Sequence, residues 1–334
     1  MTMKNELQAL CDLFIANRDA VKAAFKWDSH YFYPVCANIF TARGVAVEEE
    51  RLLRCKEIIK EQTGIFSNFR GNVRPALASM LALAEDPDRK MAQATDYYQM
   101  LKTEFWGSEY LALAAVLLTD LTDEAGLTEI IRRGKALYNR MKKEHPFLTS
   151  SEDSVFAALL AFSPRTDDQL IQDMEACYAL LREKFSIGNS LQAVSHVLAL
   201  SDRTPEGKCG RLMDLFDSLA QAGRKYGRYY ELSTLASLAV QDADLAALTA
   251  DILDADQFLS QQKGYGGFFG IEKKTRLMHA AMLVSDLNLP QNTTNAAAMT
   301  GTLAMVIAQE MMMLAVITSS TAATAASTSS GHSH

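Results

Sequence analysis

Between residues 190 and 226 the apolar positions fall into two helical stripes separated by a polar turn. Leu191, Val194 and Leu198 make the first stripe, and Leu212, Leu215, Phe216 and Leu219 the second, at i, i+3, i+4 and i+7. Residues 201–206 stop one helix and start another. Thr204 is a predicted N-cap that accepts a backbone N–H, Pro205 suits the first helical position where no N–H is needed, and Glu206 favours the positive end of the dipole. The second helix runs out at Gly223 to Gly227. The unit reads as a helical hairpin.

The same unit recurs. An aromatic residue in a polar or glycine-containing turn stands at Phe66, Phe105, Phe147, Phe185, Tyr226 and Tyr265, at intervals of 39, 42, 38, 41 and 39, and Phe25 stands 41 before Phe66. A period near forty predicts stacked αα-hairpins, each burying its apolar face on the next. The helix after each aromatic ends in an apolar cluster such as Met80-Leu81-Ala82-Leu83 or Leu159-Leu160-Ala161-Phe162, and carries small residues such as Ala114, Ala115, Ala157 and Ala158. Small residues let helices approach closely, so this set is expected to form an inner, buried layer. The longer, more charged helices over 88–102, 124–143 and 167–184 form the outer layer. A lone first helix over 5–24 followed by seven inner–outer pairs gives about fifteen helices. No stretch has the alternation of a strand. The expected architecture is all-α, about seven αα-hairpin repeats of about 40 residues, closed as an α/α toroid or wound as a tight solenoid, in a single domain over 1–318.

The end of the chain differs. Residues 296–317 are almost wholly apolar and small, interrupted by Gln309 and Glu310. A membrane span is one reading, but a central carboxylate and the lack of flanking Lys or Arg oppose it. The segment is expected to fill the outer slot of the last hairpin, with a homo-dimer contact as the alternative. Residues 319–334 form a Ser/Thr/Ala tail, expected to be disordered.

Composition narrows the function classes. Of the 334 residues 49% are hydrophobic, ample for a core, and the formal charge is −7 with a pI near 5.5. An acidic chain argues against nucleic acid or an anionic membrane as the main partner. Five cysteines lack any C-x-x-C pair and read as reduced thiols, which with the absence of a signal-like apolar run after Met1 predicts a cytoplasmic protein.

Two turns combine glycine with positive charge, 67–74 and 264–276. Each opens an inner helix, where unpaired N–H groups favour an anion and glycine admits a ligand to the backbone. Arg70, Asn72, Arg74, Gly267, Lys274 and Arg276 are therefore the candidate anion-binding residues, against the plainer reading that the glycines make turns and the cations are solvated. Neither turn is a P-loop or a dinucleotide fingerprint. His30, His196 and His279 fall on inner helices as candidate cavity-lining residues, or as hydrogen-bonded core residues. No spacing predicts a metal site, and no cofactor is implied.

The segments Phe66-Ser67-Asn68-Phe69-Arg70-Gly71-Asn72-Val73-Arg74 and Gly267-Phe268-Phe269-Gly270-x-x-x-Lys274-x-Arg276-x-Met278 resemble a bacterial family catalogued as domain of unknown function 4003, over roughly residues 4 to 318. The resemblance implies a cytosolic protein from a Gram-positive bacterium and carries over no activity and no site residues. The turn Gln262-Lys263-Gly264-Tyr265-Gly266-Gly267-Phe268 is similar to those of the α/α toroids of terpenoid cyclases and protein prenyltransferase β chains. Their aspartate-rich motif and zinc ligands are not found here, so that likeness implies fold alone. The function expected is a non-catalytic binding or scaffold protein with an unknown protein or an anionic small molecule as partner. The alternative is a cavity enzyme in which Arg70, Arg74, Lys274 and Arg276 hold an anionic substrate and an inner-helix histidine moves a proton.

Overall fold

The computed structural model of the protein describes residues 3–26, 32–265 and 270–288. Fourteen α-helices follow one another in these residues. The first seven are α1 (Asn5–Ala24), α2 (Phe32–Thr41), α3 (Glu49–Gln62), α4 (Arg74–Ala82), α5 (Pro87–Leu101), α6 (Glu109–Leu118) and α7 (Glu124–Glu144). The rest are α8 (Asp153–Leu160), α9 (Asp167–Leu181), α10 (Asn189–Leu198), α11 (Pro205–Gln221), α12 (Leu232–Ala239), α13 (Leu245–Ser260) and α14 (Lys273–Leu287). No strand occurs among the described residues, and none of their helices is long and apolar enough to cross a membrane.

Two kinds of helix alternate, for a reason visible in their side chains. Even-numbered helices from α2 to α12 have eight to ten residues and bury nearly every side chain: every residue of α2, α8 and α12 is buried. Odd-numbered helices bury a single stripe, such as Leu127, Ile130, Ile131, Gly134, Leu137 and Met141 of α7. The two sets are the inner and outer layers. Gly134 shows why small residues matter, since a Cβ there would stand 3.3 Å from the Ala157 carbonyl and the Ala158 backbone of α8.

Each outer helix pairs with the inner helix after it, giving seven hairpins, and each row is continuous, with α1, α3, α5, α7, α9, α11 and α13 packed in turn. The first helix is therefore not a lone element; it is the outer member of the first hairpin. It also meets the other end of the array, packing on α13 and α14. There Lys4 pairs with Asp251 at 2.7 Å, the Arg18 guanidinium lies 5.4 Å over the Tyr265 ring, and Phe14 stacks near His279. In the inner row Asn38 of α2 faces Asp286 of α14. These contacts bring the first hairpin of the array against the last. The expectations for 296–317, for the tail 319–334 and for a boundary at 318 fall outside the described residues.

The forty-residue period has a physical anchor. Phe25, Phe105 and Phe185 donate their N–H to the carbonyl four residues back, closing the last turn of an outer helix, and their rings are buried. In the fourth hairpin that place belongs to His145, which bonds to Met141 and stacks on Tyr178, whereas Phe147 is 97% exposed. With His145 the uneven intervals of 42 and 38 become 40 and 40.

At the opposite rim arginines close the inner helices. Arg211 of α11 donates to the carbonyls of Ala239, Gln241 and Ala243 at 2.7–3.0 Å. Arg51 does the same for Ala82 and Ala84 beyond α4, and Arg133 for Ala161, Ser163 and Arg165 beyond α8. Each fork satisfies the orphan C-terminal carbonyls of its own hairpin's inner helix. The predicted start of α11 is also observed, with Thr204 accepting from Gly207 and Pro205 in the first turn.

Candidate functional site

Since outer and inner helices run in opposite directions, the seven outer-to-inner connections emerge on one rim, around the N-termini of the inner helices. Neighbouring connections touch there. Asn68 donates to the Tyr98 hydroxyl at 2.5 Å, and a Cβ at Gly107 would meet both side chains. Asn189 reaches Glu152 at 3.2 Å, and Arg228 donates to the Lys184 carbonyl at 2.7 Å.

Both predicted turns lie on this rim, at the starts of α4 and α14, which flank α2. Their most promising cations are engaged in the fold. Arg70 donates to the Lys60 and Thr63 carbonyls and to the Thr63 hydroxyl, closing the C-terminus of α3. Arg276 grips Asp256 at 2.7 Å, a buried carboxylate that also accepts from Arg224 at 2.9 Å. Asn72 is exposed, Arg74 is half-buried at the start of α4, and Lys274 is exposed. Gly267 and His30 lie outside the described residues.

A polar sector that sequence reasoning missed occupies the starts of α6, α8 and α10. Glu109 accepts from the Val73 N–H at 3.3 Å, and its carboxylate fills the space that a Cβ on Gly71 would need. The half-buried Tyr110 hydroxyl is pushed up to about 12 by burial and by the charges of Glu152 and Glu109. Asp153 is buried and accepts from the Ser150 N–H at 2.7 Å; burial lifts its carboxyl to about 7. Further round, Glu231 accepts from the Tyr229 N–H, and burial raises its carboxyl against the nearby Lys274 charge. These acids sit at helix starts, so the dipole accounts for their sign. Their spacing across three hairpins hid them.

Both described inner-helix histidines, His196 and His279, are core residues. His196 lies 3.7 Å from Asp153 and packs on Phe156, and burial drives its pKa to about 3. His279 bonds the Tyr265 hydroxyl at 2.9 Å and is depressed to about 3 for the same reason. Neither carries a proton at neutral pH or meets solvent. Among the described residues no cluster of three His, Cys, Asp or Glu side chains is placed to hold a metal. A groove of about 620 Å³ between α5 and α7 lies on the outer layer, but its cations are engaged, Arg132 with Glu129 and Lys135 with the Glu104 carbonyl and the Phe105 ring.

The clearest feature of the rim is apolar. Among the described residues eight large hydrophobic side chains are exposed, and six of them stand on outer-to-inner connections: Ile65, Phe66, Trp106, Phe147, Ile187 and Tyr229. Phe66, Trp106 and Phe147 are 94%, 90% and 97% exposed. The second to sixth connections each carry at least one.

A family described as protein of unknown function, DUF4003, matches residues 17–312. An uncharacterized Bacillus subtilis protein, YeaA, is 29% identical over 222 residues, which cover 64% of this chain and 67% of that protein. No solved structure matches the chain.

Proposed function

We propose that the chain, which belongs to the DUF4003 family, is a non-catalytic cytoplasmic binding protein whose working face is the outer-to-inner rim. The observation that carries this reading is the set of solvent-exposed apolar side chains, one or two on each of five successive connections. Isolated exposed hydrophobics are ordinary; the concentration of six of the eight on one rim of a repeat array is what marks a contact surface. The enzyme alternative asked an inner-helix histidine to move a proton and four cations to hold a substrate. His196 and His279 are dry and neutral, and Arg70 and Arg276 are engaged within the fold, so the geometry favours binding. The buried cysteines accord with a reducing compartment.

The test is site-specific photo-crosslinking in living cells. A photoreactive side chain at position 106 or 147 is expected to form adducts, and one at Leu53, which is exposed on α3 away from the rim, is not. A rim that yields no adduct from either position, in a protein that still folds, would remove the reading.

A further inference from the structure

We infer that the rim of outer-to-inner connections docks on an anionic lipid bilayer, an inference that rests on reading this rim as a binding face. Three observations converge on that partner. The first is the chemistry of the tips: Phe66, Trp106, Phe147, Ile187 and Tyr229 project from separate connections spread around the rim, not from one groove. A bilayer can receive separate tips at once. Phe and Ile side chains enter the acyl boundary, while Trp and Tyr rest at the headgroups.

The second is charge. Summed over the described residues from the last turn of each outer helix to the first turn of the next inner helix, Lys and Arg outnumber Asp and Glu by 17 to 9, although the connections of Trp106 and Phe147 hold one and two cations against two and three acids. Exposed Lys142 and Lys143 precede Phe147 on the same connection, Lys225 and Arg228 precede Tyr229, and Lys273 and Lys274 open α14. Acids sit at inner-helix starts on this rim too, as Glu109 and Asp153 show, but on the opposite rim they are in the majority, with Asp120, Asp123 and Glu124 before and in α7 and Asp242 and Asp244 before α13. The formal charge of −7, which argues against an anionic membrane, is thus an average over two unlike rims. Exposed cations around apolar tips are drawn to anionic headgroups within a Debye length, and their stems lie along the apolar boundary.

The third is exclusion of a second copy. A face-to-face dimer through this rim would set one net basic surface against another, which like-charge repulsion opposes.

The experiment is co-sedimentation of the full chain with vesicles, using a Trp27→Phe variant so that Trp106 alone fluoresces. Binding is expected to vesicles containing phosphatidylglycerol and not to pure phosphatidylcholine, to weaken as salt rises, and to shift Trp106 emission to the blue. Phe66→Ser with Phe147→Ser is expected to lower partitioning about tenfold or more, as loss of two inserted phenyl groups requires. Val45→Ser with Leu53→Ser, at exposed apolar positions off the rim, should leave it unchanged. No sedimentation with phosphatidylglycerol at low salt, or equal sedimentation of the Phe66/Phe147 variant, overturns the inference. If vesicles fail while position 106 crosslinks to a protein, the lipid partner is wrong and the binding face stands; if both fail, both are wrong.

Discussion

Four buried titratable side chains give the protein a distinctive pH response. His196 and His279 have folded pKa values near 3 because burial disfavours the imidazolium. Between about pH 3 and 6.5 the unfolded chain therefore binds protons that the folded one does not, and stability falls as pH falls, by about 1.4 kcal/mol per pH unit for each group. Asp153 and Asp286 are shifted the other way, to about 7 and about 8, again mainly by burial. From about pH 4 upward the folded state holds protons that the unfolded chain releases, so these groups weaken the fold as pH rises. The two pairs oppose one another between about pH 4 and 6.5, and only the aspartates act above it. Stability should decline from pH 6.5 to 8, and Asp286→Asn should stabilise the protein more at pH 8 than at pH 5 in urea titrations. An equal effect at both values would contradict the assignment. Sequence spacing put His196 and His279 on inner helices, but their dryness depends on Phe156, Phe14 and Tyr265 from other segments. Phe147 fooled the period for a related reason: nothing local separates an aromatic that anchors a turn from one that leaves it.

Inner helices of eight to ten residues, such as α8 and α10, are too short to persist alone. They exist because every face is buried and because both ends are closed by neighbours. The arginine forks are the strongest such closure. Arg211→Ala removes three charge-assisted bonds and leaves the carbonyls beyond α12 exposed or unpaired. A loss of about 3 kcal/mol is expected from the urea midpoint, with Arg211→Lys restoring only part because an ammonium cannot reproduce the fork. A loss below about 0.5 kcal/mol, the range of an ordinary surface site, would show that water replaces the fork. Local closures were legible in the sequence, as Thr204 and Pro205 show. The forks were not, because Arg211 meets carbonyls 28 to 32 residues away. Only with the fold in hand does the recurrence of Arg51, Arg133 and Arg211, about two hairpins apart, gain a meaning. The same holds for Arg70, which looked like an open anion fork and instead closes α3.

At the scale of the whole molecule the hairpin period was the strongest sequence signal, since each repeat meets only its neighbours and leaves a local trace. The joining of the ends left none, because it rests on side chains of residues 4–38 meeting those of 251–286. The functional face was hidden by averaging: net charge pools two rims of opposite character, and exposed apolar tips look like core residues until burial is known. The central claim, that this rim is covered in the cell, can be measured with thiol chemistry because all five native cysteines are buried. Trp106→Cys, Phe147→Cys and Leu53→Cys would each be labelled with N-ethylmaleimide, in intact cells and in purified protein. The account predicts that positions 106 and 147 react rapidly when pure and are shielded in cells, while position 53 reacts alike in both. Rim cysteines as reactive in cells as in the purified protein would contradict it.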